Sequence, residues 1–214
     1  MNYDERPFFS VILATKDRAD LLPGAVESLF RQTMIDWELW IVDDGSTDDT
    51  PLVVSSLTKR DERVKYHAHE PCGVARSRNE GALRASGHYL TFLDSDDAYL
   101  ADHLQIRRDL IEGDRSVDMW HGGYIVVGQP YVPDKRNPAK LVHIDTCFVD
   151  ATMCISRDTF LALDGFPDLP FSAGSALFDK MKNLSKRIKR VSAPTYIYKR
   201  TAGDSVCTRM ATTC

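Results

Sequence analysis

Apolar and polar positions along the first hundred residues alternate between two rhythms. Phe8 to Ala14 is a continuous apolar run of β type, as a central parallel strand requires. The polar Thr15-Lys16-Asp17-Arg18 turns the chain. Leu22, Val26, Leu29 and Phe30 then recur at helical spacing, with Pro23 near the helix start, where its missing N–H is tolerated. A second strand, Trp37 to Val42, ends in Asp43-Asp44-Gly45-Ser46. Thr47 or Asp48 can cap the next helix, whose apolar positions are Leu52, Val53 and Leu57. A short strand, Val64 to His67, precedes a helix from Gly73 to Ala85, stopped by Gly87. Tyr89 to Leu93 is the fourth strand. These alternations predict an α/β fold with a doubly wound, mainly parallel sheet and right-handed crossovers.

After Leu93 the rhythm changes. The pattern predicts a helix over Ala101–Ile111, a strand over Val117–Val127 and a loop over Gln129–His143, which is rich in Pro, Asn and Lys. A strand over Phe148–Ile155, a short helix over Arg157–Leu163 closed by Gly165, a helix over Leu177–Leu184 and a strand near Tyr196–Lys199 follow. The expected organisation is an α/β half over residues 1–127, a mixed half of the same domain over 128–198, and a tail or lid over 199–214.

Composition narrows the function without naming it. With 214 residues, 43% apolar, 27% charged and a net charge of −4, the chain is an ordinary globular protein with no electrostatic footprint for nucleic acid or an anionic membrane. No apolar stretch approaches bilayer-spanning length, and no signal-peptide pattern precedes Phe8. The five cysteines (Cys72, Cys147, Cys154, Cys207, Cys214) show no CxxC spacing, and no CaaX pattern surrounds Cys214. The expectation is a reducing, cytoplasmic location without a disulfide framework.

The chemistry concentrates in Tyr89-Leu-Thr-Phe-Leu-Asp94-Ser-Asp96-Asp97-Ala-Tyr99. An apolar run ending in three carboxylates describes a buried strand that delivers acids to its own tip, where open α/β sheets bind ligands. Acids this close repel unless a cation or donors hold them, and a hard divalent ion shared with phosphate oxygens fits. The competing reading is a polar helix start near Ala98, capped by Ser95 or Asp96.

Four segments resemble family 2 glycosyltransferases in order. Val11-Ile-Leu-Ala-Thr15-Lys-Asp17-Arg18 resembles the opening V-I-x-P-T-Y-N-R, and Val42-Asp43-Asp44-Gly45-Ser46-Thr47-Asp48 resembles V-D-D-G-S-x-D. Gly73-Val-Ala-Arg-Ser-Arg78-Asn79-Glu-Gly81 resembles G-x-x-x-A-R-N-x-G, and Asp94-Ser-Asp96-Asp97 is similar to the DxD motif with an extra acid. The resemblance covers residues 8–127 well and the remainder thinly. It implies a GT-A fold, a nucleotide-diphosphate sugar donor (UDP being the commonest choice), a Mn²⁺ or Mg²⁺ ion and inversion at the anomeric carbon. The acceptor it implies is a glycan or lipid-linked glycan, reached through peripheral membrane or complex association.

By that resemblance Asp96 ligates the metal, Asp94 lies near the ribose and the metal's water shell, and Asp97 is a supporting acid or a helix-start acid. Thr15, Asp17 and Asp44 fall where base and ribose rest, with Asp44 accepting from the base edge, while Arg18 and Arg78 contact phosphate or orient acids. Against these stand plainer roles. Asp43–Ser46 is a good turn sequence, Gly81 allows helix–sheet approach, Asn79 ties loops together and Arg76 is solvated. The six histidines form no metal spacing. Trp37 and Trp40 pack, whereas Trp120 is a candidate to line a sugar pocket.

The family pattern breaks in the second half. An inverting transferase needs a base for the acceptor hydroxyl, supplied in this family by an acid pair at a helix start. Here Phe171-Ser-Ala-Gly-Ser-Ala176 precedes Leu177-Phe178, so Ala173 and Gly174, or Ala176 and Leu177 in a shifted alignment, stand where the acids belong. Either Asp168 or Asp179 takes over, Asp179 being the catalytic candidate, or the chain binds donor with weak or lost transfer. Near the end, Lys199 and Arg200 are either a solvated pair or part of a lid over the diphosphate. Asp204-Ser205-Val206, similar to a D-S-I ending, favours the lid. A non-catalytic nucleotide-sugar-binding subunit is therefore the main alternative. A nucleotidyltransferase lacks its Gly-rich loop here, and the absent GxGxxG excludes a dinucleotide oxidoreductase.

Overall fold

The computed structural model describes residues 6–137, 139–169 and 172–200. Strands β1 (Phe9–Thr15), β2 (Trp37–Asp43), β3 (Val64–Ala68) and β4 (Tyr89–Phe92) alternate with helices α1 (Leu22–Phe30), α2 (Thr50–Arg60) and α3 (Val74–Arg84), close to the bounds predicted by periodicity. The four strands are parallel in the order β3-β2-β1-β4. The chain winds outward from β1 through β2 to β3, then returns to the other side of β1. That reversal makes the gap beyond the ends of β1 and β4 the natural ligand crevice.

Each face of the sheet builds its own core, because successive strand residues point to opposite sides. Phe9, Val11 and Leu13 of β1 pack with Leu22, Val26 and Leu29 of α1 and Val54 and Leu57 of α2. Ile12 joins the opposite cluster with Ala75 and Ala82 of α3. Gly81 sets the helix–sheet distance there: a Cβ on it would lie 2.7 Å from Ile12 Cγ2 and 3.1 Å from Val42 Cγ2.

The second half completes a mixed sheet. After β5 (Ala98–Tyr99) and α4 (His103–Gly113) come β6 (Met119–Gly128), β7 (Tyr131–Pro133) and β8 (Leu141–His143). They are followed by β9 (Cys154–Ser156), α5 (Arg157–Ala162), α6 (Ala173–Asn183) and β10 (Ile188–Arg200). The full order is β3-β2-β1-β4-β9-β6-β10-β5, with β9 antiparallel to β4 and β6, and β10 parallel to β6. Among the described residues no helix is long and apolar enough to cross a membrane.

Several elements differ from the sequence expectation for identifiable reasons. The acid cluster does not start a helix: Ala98 and Tyr99 pair with Ile197 and Tyr196 of β10, and α4 begins at His103. The segment 129–143, expected as a loop, carries the hairpin β7–β8. Its three-residue strands are too short to show alternation, and it is Val132, packed with Ile144 and Val149, that anchors it. Most of Phe148–Ile155 is not extended. Asp150–Thr152 forms a 3₁₀ turn, since the Thr152 hydroxyl donates to Val149 O at 2.6 Å and accepts from Gly122 N at 2.9 Å. Helix α6 begins four residues before the predicted Leu177, because Ala173, Gly174, Ser175 and Ala176 carry no apolar stripe.

β10 is thirteen residues long, although only Tyr196–Lys199 was legible as strand. β5 covers it solely at Tyr196 and Ile197, so Lys189 and Arg190 stay exposed and disguise the pairing. Lys199 and Arg200 consequently end this strand rather than opening a tail. Phe171, Asp204-Ser205-Val206, Cys207 and Cys214 lie outside the described residues.

The tight seat of α3 generates a stability prediction. Gly81→Ala should cost about 1–3 kcal/mol by overpacking Ile12 and Val42, measured as a lower midpoint in urea denaturation.

Candidate functional site

At the tips of β1 and β2 the chain holds itself together through its acids. Asp44 N–H donates to Thr15 O at 2.9 Å, tying the two strand ends. The Asp44 carboxylate accepts from Cys72 N–H at 2.6 Å and Gly73 N–H at 3.0 Å, which fixes the loop leading into α3. Gly73 has φ +94, a conformation that favours glycine. Asp17, in the left-handed region at φ +50, accepts from Thr47 N–H at 2.7 Å and its hydroxyl at 3.2 Å. Those bonds, led by the Thr47 amide, hold its carboxyl below its ordinary range. Arg18 N–H donates to Thr50 Oγ1 at 2.9 Å. Thr15 Oγ1 is buried without a hydrogen-bond partner among the described residues.

His69, scored from spacing as an unremarkable histidine, comes close to Asp44 and Cys72. Ligand atoms of the three lie within 4.8 Å of one another. Those atoms are already engaged: His69 Nδ1 contacts Glu70 O at 2.8 Å and Asp44 holds the loop amides. The group is a structural clasp between the β2 tip and the loop leading into α3.

The β4 tip is organised by Arg78 of α3. Its guanidinium is buried, with Nη2 2.5 Å from Asp94 Oδ1 and Nη1 3.0 Å from Asp150 Oδ2. Burial pulls the Arg78 pKa down, but the charges of Asp94 and Asp150 outweigh it and raise the value above normal. On the other side Tyr196 of β10 donates to Asp97 Oδ2 at 2.6 Å and accepts from Asp94 N–H at 3.3 Å. Lys199 N–H donates to Asp97 Oδ1 at 2.7 Å. Burial, followed by the charge of Asp94, nevertheless pushes the Asp97 carboxyl well above the usual carboxylate range. Carboxylates grouped this closely need donors or a cation to hold them, and a divalent ion is one such partner. Asp94 and Asp96 offer the hard oxygen donors that Mn²⁺ or Mg²⁺ prefer.

The structure therefore brings Thr15, Asp44, Arg78, Asp94 and Asp96 to neighbouring strand tips, with Asp17 and Arg18 bracing the adjacent loop. Asp179 does not join them. It lies five residues along α6 from Gly174, roughly 7.5 Å and 140° around the helix. Exposed there, it pairs with Lys135 Nζ at 2.8 Å. Asp168 is likewise exposed, paired with Arg76 at 2.5 Å. Trp120 packs in the core beneath Lys189 rather than lining a pocket. Arg200 Nη2 donates to Tyr131 O at 3.2 Å, toward the hairpin. The sequence reading missed Tyr196 and Asp150. For Asp150 a signal existed: it is the single charged residue in the apolar run Phe148–Ile155.

Losing Arg78 should be costly, because it leaves Asp94 and Asp150 unpaired. Arg78→Met is expected to lower unfolding free energy by about 3 kcal/mol, since both carboxylates keep partial access to water; urea denaturation measures it.

Comparison with known proteins places this geometry. Residues 10–169 match the model of glycosyl transferase family 2. A GalNAc(5)-diNAcBac-PP-undecaprenol beta-1,3-glucosyltransferase from Campylobacter jejuni is 41% identical over 100 residues, 46% of this chain and 32% of that protein. The chain spans less than two thirds of the length of the curated relatives it matches. Among solved structures, S. aureus TarS 1-349 in complex with UDP-GlcNAc superposes with a TM-score of 0.75 at 23% identity, over 92% of this chain and 60% of that one. The mannosyltransferase PcManGT from Pyrobaculum calidifontis, in complex with GDP-Man and Mn²⁺, gives 0.72 at 21% identity, over 91% and 57%. The fold is GT-A, and the chain belongs to glycosyl transferase family 2.

Proposed function

We propose that this protein transfers a sugar from a nucleoside diphosphate donor, most simply a UDP-sugar, to a hydroxyl of a glycan or lipid-linked glycan, with inversion. The observation that carries the reading is the acid turn Asp94–Asp97 at the tip of β4, held by Arg78 and placed beside the β1 and β2 tips. Support for UDP comes from the TarS complex, and for a lipid-linked acceptor from the name of the Campylobacter relative.

The chain's residues divide the work. Asp44 and Thr15 are assigned to the base end: Asp44, while accepting the Cys72 and Gly73 amides, keeps further lone pairs for a donor on a pyrimidine edge, and Thr15 lies beside it at the β1 tip. Asp94, oriented by Arg78, stands at the sugar-phosphate end. Asp96 with Asp94 would hold a Mn²⁺ or Mg²⁺ ion, whose chemistry when bound is Lewis-acid neutralisation of charge on the diphosphate leaving group. Support for the ion is the hard oxygen donor set at the tip of β4.

A second reading, a donor-binding subunit without transfer, is favoured by one observation: the first turn of α6 carries no acid. Binding and turnover separate the two. In calorimetric titrations, UDP should bind in the presence of Mn²⁺, with at least about tenfold weaker binding by Asp96→Ala or in EDTA, the size of a lost charge contact. Absence of binding by both UDP and GDP under every metal condition overturns the reading.

A further inference from the structure

We infer that Asp150 is the general base, supplying from the 3₁₀ turn before β9 the carboxylate that α6 lacks. The inference rests on the transfer reading above and assigns a residue to its missing step.

Three observations place it. First, Gly174 stands where the family's acid pair is expected, and Asp150 occupies that space. A Cβ built on Gly174 would lie 2.6 Å from Asp150 Oδ2 and 2.7 Å from its Cγ. Any side chain at 174 would collide with Asp150, so the glycine and the displaced carboxylate fit together as a pair. The acid has moved to another element while its charge stays in nearly the same place.

Second, one guanidinium joins Asp150 to Asp94. Arg78 spans both carboxylates, so Asp150 lies across the width of that group from the acid turn. Its side chain is 33% exposed, open to an incoming hydroxyl, and among the described residues its second oxygen, Oδ1, holds no hydrogen bond.

Third, its backbone is rigid, as a positioned base requires. Ala151 and Thr152 are buried. Gly122 N–H bonds Thr152 Oγ1, and the buried Arg107 clamps the same strand through Gly122 O at 2.6 Å. Asp168 and Asp179 have no comparable support.

The step balances without a further reactant. As the acceptor oxygen forms its bond to the anomeric carbon, the carbon–phosphate oxygen bond breaks. Its electron pair leaves with the nucleoside diphosphate, and the hydroxyl proton passes to Asp150 Oδ1.

The test measures binding and turnover together on the full chain. UDP and GDP titrations with Mn²⁺ report the donor site. UDP release from UDP-glucose and UDP-GlcNAc, with water and with a GlcNAc-diphosphopolyprenol as acceptors, reports turnover. Asp150→Asn keeps an oxygen for Arg78, and should cut turnover about 10²–10⁴-fold while nucleotide affinity changes less than about threefold. Asp150→Ala should regain rate with added formate, and the double variant Asp150→Gly, Gly174→Asp, which removes the Asp150 Cβ that a side chain at 174 would meet and returns the carboxylate to α6, should recover to within about tenfold of wild type.

An Asp150→Asn variant retaining more than about a tenth of the rate overturns the assignment, as does a loss of nucleotide affinity that matches the loss of rate. Wild-type chain that binds nucleotide but turns over no donor overturns it too, leaving the donor site standing. Failure of nucleotide binding in the wild type instead overturns the transfer reading itself.

Discussion

A single buried guanidinium sets the terms for this crevice. Moving a charge out of water costs several kcal/mol unless partners compensate, so Arg78, 8% exposed, must be paired. Its partners come from two elements far apart in sequence: Asp94 just beyond β4 and Asp150 before β9. The ion pairs therefore join the parallel half of the sheet to the mixed half at the point where ligands bind in this class of fold.

Helix α3 is the lever that delivers the guanidinium. Within one turn it presents Arg78 to the acids, Asn79 to the backbone of Phe166 and Gly81 to the sheet. Asn79 donates to Phe166 O at 2.8 Å and accepts from Phe166 N–H at 2.9 Å, fixing the approach to α6. The bare face at Gly81 lets the helix sit close enough for both contacts to form. This segment is thus largely a device for position, and its chemistry follows from where it is seated.

On the far side, β10 closes the acid turn. Tyr196 and the Lys199 amide both donate to Asp97, which removes the third carboxylate from solvent, whereas Asp94 takes its partner from the other side, from Arg78. The supporting acid and the candidate ligands differ in burial: Asp97 is 1% exposed, whereas the Asp94 side chain is 29% exposed. Identical side chains three positions apart so acquire different electrostatic tasks.

The succession of the first four strands along the chain, the acid-bearing tips and the family were all written in local pattern, whereas the order of the strands in the sheet came from the structure. Strand and helix periodicity is a property of neighbours in sequence, and each tip residue sits next to the strand that carries it. Asp44, Asp94 and Asp96 could be named for that reason. What needed the folded chain was every relation between distant segments: the hairpin pinned by Val132, the length of β10, and the failure of Asp179 to reach the site. The carboxylate at the start of α6 belongs to this second class. Sequence alone registered it as missing, because a linear pattern can only look for an acid on the helix itself. Side-chain chemistry acts through space, and only the packing of the Asp150 turn against Gly174 and Arg78 decided which acid stands there.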